Sequence, residues 1–206
     1  NTSRLVSATA DAVHMSGTTG TITIKDCVFE GMGDDAANIK TGLYLGVREK
    51  VDDHTVLASH NLKMQDAPDP GDKVEISHLK TVVPYAENVV KSVEMLPEGM
   101  HKIVFENPLP ESLDIGDLMG NASRTARVRI SGCTVGRNRA RGFLIQNRDV
   151  VVENCRFKDC TSGGVWVLSE TWQFYESIGS SNVTVRNCVF DNCNYGGPIG
   201  EAVLGV

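Results

Sequence analysis

A strand-like pattern recurs four times along this chain, and each copy carries a cysteine near its end. The pattern is apolar-x-apolar-x-x-Cys-x-apolar, and it occupies residues 22–29, 128–135, 150–157 and 183–190. Alternating apolar residues are typical of a half-buried β-strand, and the break before each cysteine predicts a bend. Cys133 and Cys155 lie 22 residues apart, and Cys155 and Cys188 lie 33 apart. Periods of this length belong to coils that must stack to bury their inner faces, so we predict an all-β right-handed parallel β-helix.

The second half of each coil repeats as well. Counting from the cysteine aligns three pairs of apolar residues, which we expect to point into the helix: Ala37 and Ile39, Phe143 and Ile145, Val165 and Val167. Because side chains alternate along a strand, the residues between them should point outward: Asn38, Leu144 and Trp166.

The spacing between the first two copies predicts an inserted domain. Cys27 and Cys133 lie 106 residues apart, which is 84 more than a 22-residue coil. The excess contains turn signals such as Pro70-Gly71-Asp72 and short alternating strands at 73–76 and 101–105, which indicate a small antiparallel β-barrel or sandwich. We therefore predict β-helix coils at 1–44, an inserted barrel-like domain at 45–125, and further coils at 126–206.

Composition limits the function classes. The formal net charge of −6 and the lack of a basic run argue against nucleic acid or an anionic membrane as a partner. The chain has no stretch apolar enough to cross a bilayer. It begins within the repeat pattern, as expected of a mature form or a piece of a longer protein, so the missing signal peptide does not indicate a destination.

The six cysteines occupy two repeat positions. Four of them share the position of Cys27, and Cys160 and Cys193 share another, five residues later. Stacked coils would align them as ladders of small buried thiols inside the helix. A disulfide between adjacent ladder positions and a metal site are the alternatives, although no histidine stands nearby at zinc spacing.

Three aspartates recur at nearly the length of one coil. Asp11 precedes Asp34 by 23 residues and Asp35 by 24. Adjacent coils lie about 4.8 Å apart, so these carboxylates should converge on one surface. Inverting glycosidases need an acid and a base about 6.5–9.5 Å apart, and crowded carboxylates raise the pKa of at least one member. The alternative is a solvated Gly-Asp-Asp turn, where aspartate is common for structural reasons.

These residues also carry a family resemblance. The run Asp11-Ala12-Val13-His14 and the run 34–38 (Asp-Asp-Ala-Ala-Asn) resemble the active-site region of glycoside hydrolase family 110. The likeness continues in order and spacing through 71–74, 84–87, 138–146 and 187–196. It implies a parallel β-helix with an inserted barrel that hydrolyses terminal α-1,3-linked galactose with inversion and without a metal or other cofactor. The sequence departs from this family at Lys40, where the family pattern has a histidine.

Two other interpretations stay open. Gly33-Asp34-Asp35 with the run 39–42 (Ile-Lys-Thr-Gly) also resembles the polygalacturonases of glycoside hydrolase family 28, but their downstream His-Gly and Arg-x-Lys elements are missing from this sequence. The inserted domain favours the first family. The alternative from another class is a non-catalytic carbohydrate-binding or structural β-helix module, which would not need three converging acids.

Matching positions suggests roles for the candidate residues. Asp34 is the expected general acid, and Asp11 and Asp35 are expected to hold and activate water, although Asp34 and Asp35 are interchangeable at this level. The expected substrate-binding residues are His14, Asn38, Arg139, Arg141, Glu170 and Trp172, with Trp166 as a second aromatic candidate.

The expected partner is an oligosaccharide or polysaccharide that ends in galactose. The resemblance further implies an extracytoplasmic location, periplasmic or secreted. A homo-oligomer is compatible with the need of β-helix ends for a cap or a partner.

Overall fold

The computed structural model describes residues 4–63, 66–171, 173–196 and 202–206. That part of the chain contains nineteen β-strands, numbered β1 to β19 in chain order, and one 3-10 turn at Pro97–Gly99, with no α-helix. Consistently, none of its described segments forms a helix of the length and apolarity needed to cross a bilayer. The chain is therefore all-β, as predicted.

Three parallel sheets form the β-helix. The first contains β1 (Val13–Ser16), β4 (Ala37–Lys40), β13 (Phe143–Gln146), β16 (Val165–Val167) and β19 (Leu204–Gly205). The second contains β2 (Thr21–Lys25), β11 (Arg127–Ser131), β14 (Arg148–Glu153) and β17 (Ser181–Arg186). The third contains β3 (Val28–Glu30), β12 (Thr134–Gly136), β15 (Arg156–Lys158) and β18 (Val189–Asp191). The chain passes through the three sheets in turn, and each passage stacks on the previous one.

The predicted register is confirmed. Ala37 pairs with Phe143, which pairs with Val165, and Ile39 pairs with Ile145, which pairs with Val167. All of them are buried and belong to one apolar core together with the alternating residues of the second sheet. Phenylalanine side chains stack along this interior: Phe157 lies 5.0 Å from both Phe143 and Phe190, measured between ring centroids.

The bend before each cysteine has a local cause. The residue immediately before the cysteine is Asp26, Gly132, Asn154 or Asn187, and each adopts a positive φ between 53° and 65°. Glycine, asparagine and aspartate tolerate the left-handed region better than other residues. The repeat therefore specifies the corner between the second and third sheets at every coil. All six cysteines are free thiols.

The insertion forms a closed antiparallel barrel. Its strands are β5 (Tyr44–Lys50), β6 (Thr55–Ser59), β7 (Lys73–Ser77), β8 (Pro84–Met95), β9 (Met100–Phe105) and β10 (Leu118–Asn121). They follow the order β10-β5-β6-β9-β8-β7, and the pairing of β7 with β10 closes the circle. Closure leaves no unpaired strand edge, and the barrel encloses an apolar core of its own.

Contacts divide the chain into two units. The β-helix unit comprises Asn1–Lys40, Ala126–Leu168 and Gly179–Val206, and the barrel unit comprises Thr41–Thr125 together with Ser169–Ile178. The spacing of the repeats predicts the first boundary at 44/45 and places residues 169–178 in the coils, whereas the structure has the boundary at 40/41 and groups 169–178 with the barrel. This segment joins the barrel unit because its backbone carbonyls accept hydrogen bonds there: Phe174 O from His60 Nε2 at 2.7 Å, and Tyr175 O from Tyr44 N at 3.0 Å.

Candidate active site

Asp11, Asp34 and Asp35 converge at one end of the first sheet. Asp11 precedes β1, and Asp34 and Asp35 precede β4. Because β1 and β4 are paired neighbours in the sheet, the acids lie at the starts of adjacent strands. Each offers a carboxylate oxygen, and the three oxygens lie within 4.8 Å of one another. The structure thus brings together the three acids that the repeat spacing aligned, and these oxygens lie closer together than the roughly 6.5–9.5 Å expected between an inverting acid and base.

The sequence around Asp34 allows this close approach. Gly33 donates its N–H to Ala8 O at 2.7 Å, and a Cβ on Gly33 would lie 2.6 Å from Thr9 O. Only glycine leaves room for the neighbouring coil at this point. Ala36 and Ala37, on the other side of the acids, are completely buried in the core and anchor the turn. The Gly-Asp-Asp-Ala-Ala run therefore places the backbone of both aspartates beside the preceding coil.

Asp11 is almost enclosed and has two defined partners. Its side chain is 10% exposed; Oδ1 accepts the backbone N–H of Asp35 at 2.9 Å, and Oδ2 lies 2.7 Å from His14 Nδ1. The tautomer with the proton on Nδ1 makes this a hydrogen bond and leaves His14 Nε2 as an acceptor. The His14 side chain is 49% exposed, so Nε2 belongs to an accessible ring.

Asp35 is buried against Arg141. The residue is 1% exposed, and the guanidinium binds it in bidentate fashion: Nε donates to Oδ1 at 2.8 Å and Nη2 donates to Oδ2 at 3.0 Å. The backbone N–H of Arg141 donates to the same Oδ1 at 3.2 Å. Burial raises the pKa of Asp35 to about 6, although the hydrogen bonds and charge of Arg141 lower it and the nearby aspartates raise it further. At neutral pH the carboxyl is therefore ionised, but it can be protonated within the range where most aspartates cannot.

Asp34 is the most accessible of the three acids. Its side chain is 47% exposed, and Oδ1 lies 3.9 Å from Arg141 Nη2. A carboxyl that faces solvent beside two enclosed carboxylates is the group that an incoming ligand meets first.

Arg141 is itself held from two sides. Its Cζ lies 5.7 Å from the ring centroid of Trp166, within the range of a cation–π contact. The indole Nε1 donates to Ala202 O at 3.0 Å, which orients the ring. On the backbone side, Asn138 Nδ2 donates to the carbonyl oxygens of Asp34 at 2.8 Å and of Arg141 at 2.6 Å. Asn138 thus ties the two segments that carry the acids and the guanidinium.

Asn138 was not among the predicted site residues. It stands inside the quoted run 138–146, but an asparagine three residues before an arginine carries no recognisable chemical signal. Its role arises from a contact between two coils that are 104 residues apart in sequence.

Asn38 lies on the same sheet as His14. The two residues pair in register, and Asn38 faces away from the apolar core as predicted, yet it is only 6% exposed. Its Oδ1 is buried and has no hydrogen-bond partner among the described residues. A buried acceptor without a partner costs free energy, so Asn38 is a position where a ligand donor would be stabilising.

Two of the remaining candidates bind backbone groups. Arg139 is exposed, and its Nε donates to Gly33 O, so it binds the backbone before the acids and none of the carboxylates. Glu170 belongs to the barrel unit, where its carboxylate accepts the N–H groups of Gln173 and Phe174 and shapes its own loop. Trp172 lies outside the described residues.

The three acids have the donor type and spacing of a cation site. However, the Arg141 guanidinium already binds both oxygens of Asp35 and lies beside Asp34. A positively charged side chain therefore offsets part of the negative charge of this cluster.

Two family models match the chain. Residues 64–119 match the one described as GLAA-B beta-barrel domain II, and residues 112–201 match the one described as right handed beta helix region. Together with the observed sheets and the closed barrel, these matches confirm the predicted fold class, including the hand of the β-helix.

Several proteins similar in sequence to this chain are named alpha-1,3-galactosidase. Alpha-1,3-galactosidase A of Akkermansia muciniphila is 34% identical over 88% of this chain and 31% of its own length. Alpha-1,3-galactosidase B of the same organism is 33% identical over 85% of the chain and 22% of its own length. Alpha-1,3-galactosidase A of Bacteroides fragilis is 29% identical over 98% of the chain and 34% of its own length. The chain thus spans about a third or less of the length of these relatives.

Proposed function

We propose that this chain carries the catalytic centre of a glycosidase that removes terminal α-1,3-linked galactose with inversion. The support is its homology, over most of its length, to alpha-1,3-galactosidases. This agrees with the resemblance to glycoside hydrolase family 110. The observation that supports this most strongly is the cluster of Asp11, Asp34 and Asp35 around Arg141. A binding module would need amides and aromatic rings, but it would not need three acids within one cluster.

Asp34 acts as the general acid in this proposal. Its exposed carboxyl gives its proton to the glycosidic oxygen as the bond from that oxygen to the anomeric carbon breaks. A water molecule attacks the anomeric carbon from the opposite face, and its proton passes to an enclosed carboxylate. Asp11 and Asp35 are suited to that role because both carboxylates are held in place: Asp11 accepts the backbone N–H of Asp35, and Asp35 accepts the Arg141 guanidinium. The product is galactose in the β configuration.

Neighbouring side chains would hold the sugar. His14 Nε2, left as an acceptor by the bond between Nδ1 and Asp11, can accept a hydrogen bond from a sugar hydroxyl. Asn38 adds an acceptor that lacks a partner among the described residues. The Trp166 ring lies 5.7 Å from Arg141 Cζ, measured to the ring centroid, and aromatic rings pack well against the apolar face of galactose.

The proposed substrate is an oligosaccharide or polysaccharide with a terminal galactose. We also propose an extracytoplasmic location, which follows from the family resemblance alone.

Proton NMR of the chain with α-1,3-galactobiose tests the proposal. We expect β-galactose to appear first with the native chain, and Asp34→Asn to lose this activity while Asp26→Asn keeps it. Asp26 is a suitable control because its carboxylate is 70% exposed and lies at a corner of the β-helix away from the three acids.

Other results would replace the proposal. Initial release of α-galactose would refute inversion. Cleavage of a galacturonide in place of the galactoside would favour the polygalacturonase interpretation. Broadened sugar signals without any cleavage, in the native chain and in Asp34→Asn alike, would favour a carbohydrate-binding module.

A further inference from the structure

A groove of about 400 Å³ lies on the β-helix unit, along the turns that follow β3, β12, β15 and β18. Its polar wall is formed by side chains from three successive coils: Asn138, Arg139, Asp159, Thr161, Asn192 and Tyr195. Because each coil contributes to the wall, a ligand in this groove would extend across the coils, perpendicular to the strands.

The groove begins at the backbone that carries the acids. Met32 lines the groove and directly precedes Gly33. From the groove wall, Arg139 Nε donates to Gly33 O, and Asn138 Nδ2 donates to Asp34 O at 2.8 Å. The groove therefore borders the turn that carries Asp34.

The wall side chains are held in place before any ligand arrives. Tyr195 is 60% exposed, and its hydroxyl is within 3.2 Å of Thr161 Oγ1. Asn192 Nδ2 donates to Asp159 Oδ1 at 2.7 Å. Side chains that are already ordered lose less conformational entropy on binding, which favours affinity. The Tyr195 ring offers an accessible aromatic surface beside these fixed donors and acceptors.

The chemistry of the wall favours an uncharged, hydroxyl-rich ligand. Arg137, Arg139 and Asp159 are the charged lining residues. Arg137 is already paired with Glu30 at 2.9 Å, and Arg139 and Asp159 carry opposite charges, so the wall does not strongly select one sign of charge. Sugar hydroxyls both donate and accept hydrogen bonds, and sugar rings have an apolar face that packs on aromatic side chains. Amides, a hydroxyl and an exposed phenol together match such a ligand.

We propose that this groove binds the neutral oligosaccharide to which the terminal galactose is attached, with Tyr195 as the stacking surface. The inference rests on the proposed function, because it takes the terminal galactose to lie at the three aspartates. It assigns the selectivity for longer substrates to residues outside the carboxylate cluster.

Binding measurements in an Asp34→Asn background, in which turnover is blocked, test the groove. The ligands are methyl α-galactoside and a linear tetrasaccharide that ends in α-1,3-linked galactose. We expect the tetrasaccharide to bind about tenfold more tightly, and Tyr195→Ala to remove most of that gain. Val189→Ala is the control: it truncates a half-exposed side chain of the same coil that does not line the groove, and it should leave the gain intact.

The outcomes separate the groove from the catalytic proposal. Equal affinities for the two ligands, or a gain that persists in Tyr195→Ala, would overturn the groove even if the native chain cleaves galactobiose. A tetrasaccharide gain that depends on Tyr195, in a chain that neither cleaves galactobiose nor binds methyl α-galactoside, would support the groove as a sugar site and overturn the catalytic proposal.

Discussion

Replacing Arg141 with methionine leaves the buried Asp35 carboxylate without its bidentate partner. In the folded chain this carboxylate is 1% exposed and receives two guanidinium hydrogen bonds, of 2.8 and 3.0 Å. Methionine retains much of the apolar length of the arginine stem, so the change removes mainly the charge and the hydrogen bonds.

The expected cost follows from burial. Removing one partner of a buried ion pair destabilises a protein by about 3–5 kcal/mol, because the remaining charge is left uncompensated. The Arg141 side chain is 28% exposed, so water can partly solvate the Asp35 carboxylate in the variant. We therefore expect Arg141→Met to lower the free energy of unfolding by about 3 kcal/mol at pH 7.5. The pKa of Asp35, already about 6, should rise further without the guanidinium. At pH 5 the carboxyl is then neutral in the variant, and the cost should fall to about 1 kcal/mol.

Urea denaturation of both proteins at pH 5 and pH 7.5 measures this difference. Arg137→Met is the matched control, because Arg137 also pairs with a carboxylate, Glu30 at 2.9 Å, but both side chains are more than half exposed. An exposed pair of this kind contributes less than about 1 kcal/mol. The reasoning fails if Arg141→Met costs no more than Arg137→Met at pH 7.5, or if its cost does not depend on pH.

Three further results are expected. The pKa of Asp35 is higher in the folded chain (about 6) than its ordinary value of 3.8, so its stabilising contribution is complete below pH 3.8 and is lost as the pH rises through 6; Asp35→Asn should remove about 3 kcal/mol of that pH dependence in denaturation curves at pH 4 and pH 7.5. Gly142→Ala should destabilise the chain by about 2 kcal/mol in the same assay, because its Cβ would lie 2.2 Å from a carbonyl oxygen of the next coil. Gly136→Ala should be nearly neutral, because the nearest atom to its Cβ would be 3.8 Å away. Burial raises the pKa of the Cys155 and Cys160 thiols to about 12. Mass spectrometry after treatment with a thiol reagent at pH 8 should therefore find both unmodified until urea is added. Rapid modification in the folded chain would contradict a closed interior.

Much of the fold could be predicted because its pattern is local and repeated. The alternation in residues 22–29 and its three later copies predicted the strands, and counting from the cysteines predicted that Ala37, Phe143 and Val165 share one interior row. Asp11 and Asp34 could be brought together by the same counting, since their separation is close to one coil. In each case a fixed period converts sequence distance into spatial distance.

Contacts that break the period could not be predicted. The segment 169–178 was assigned to the coils from its position in the sequence, yet its backbone carbonyls bond to His60 and Tyr44 of the barrel unit. The Glu170 carboxylate accepts backbone N–H groups of its own loop, which the sequence did not indicate. Neither set of hydrogen bonds could be predicted from local composition, because almost every residue has the same backbone N–H and C=O groups.

The sequence alone determined the β-helix, the inserted barrel and the row of acids, because each depends on a periodic alternation of apolar residues or on a spacing that equals one coil. The tertiary structure decided which acid is buried, which one faces solvent and which one binds Arg141. Those differences depend on how far each side chain is removed from water and on partners that lie about a hundred residues away, such as Asn138 on Asp34. Desolvation and hydrogen-bond geometry are properties of the folded chain, and they distinguish three aspartates that are chemically identical in the sequence.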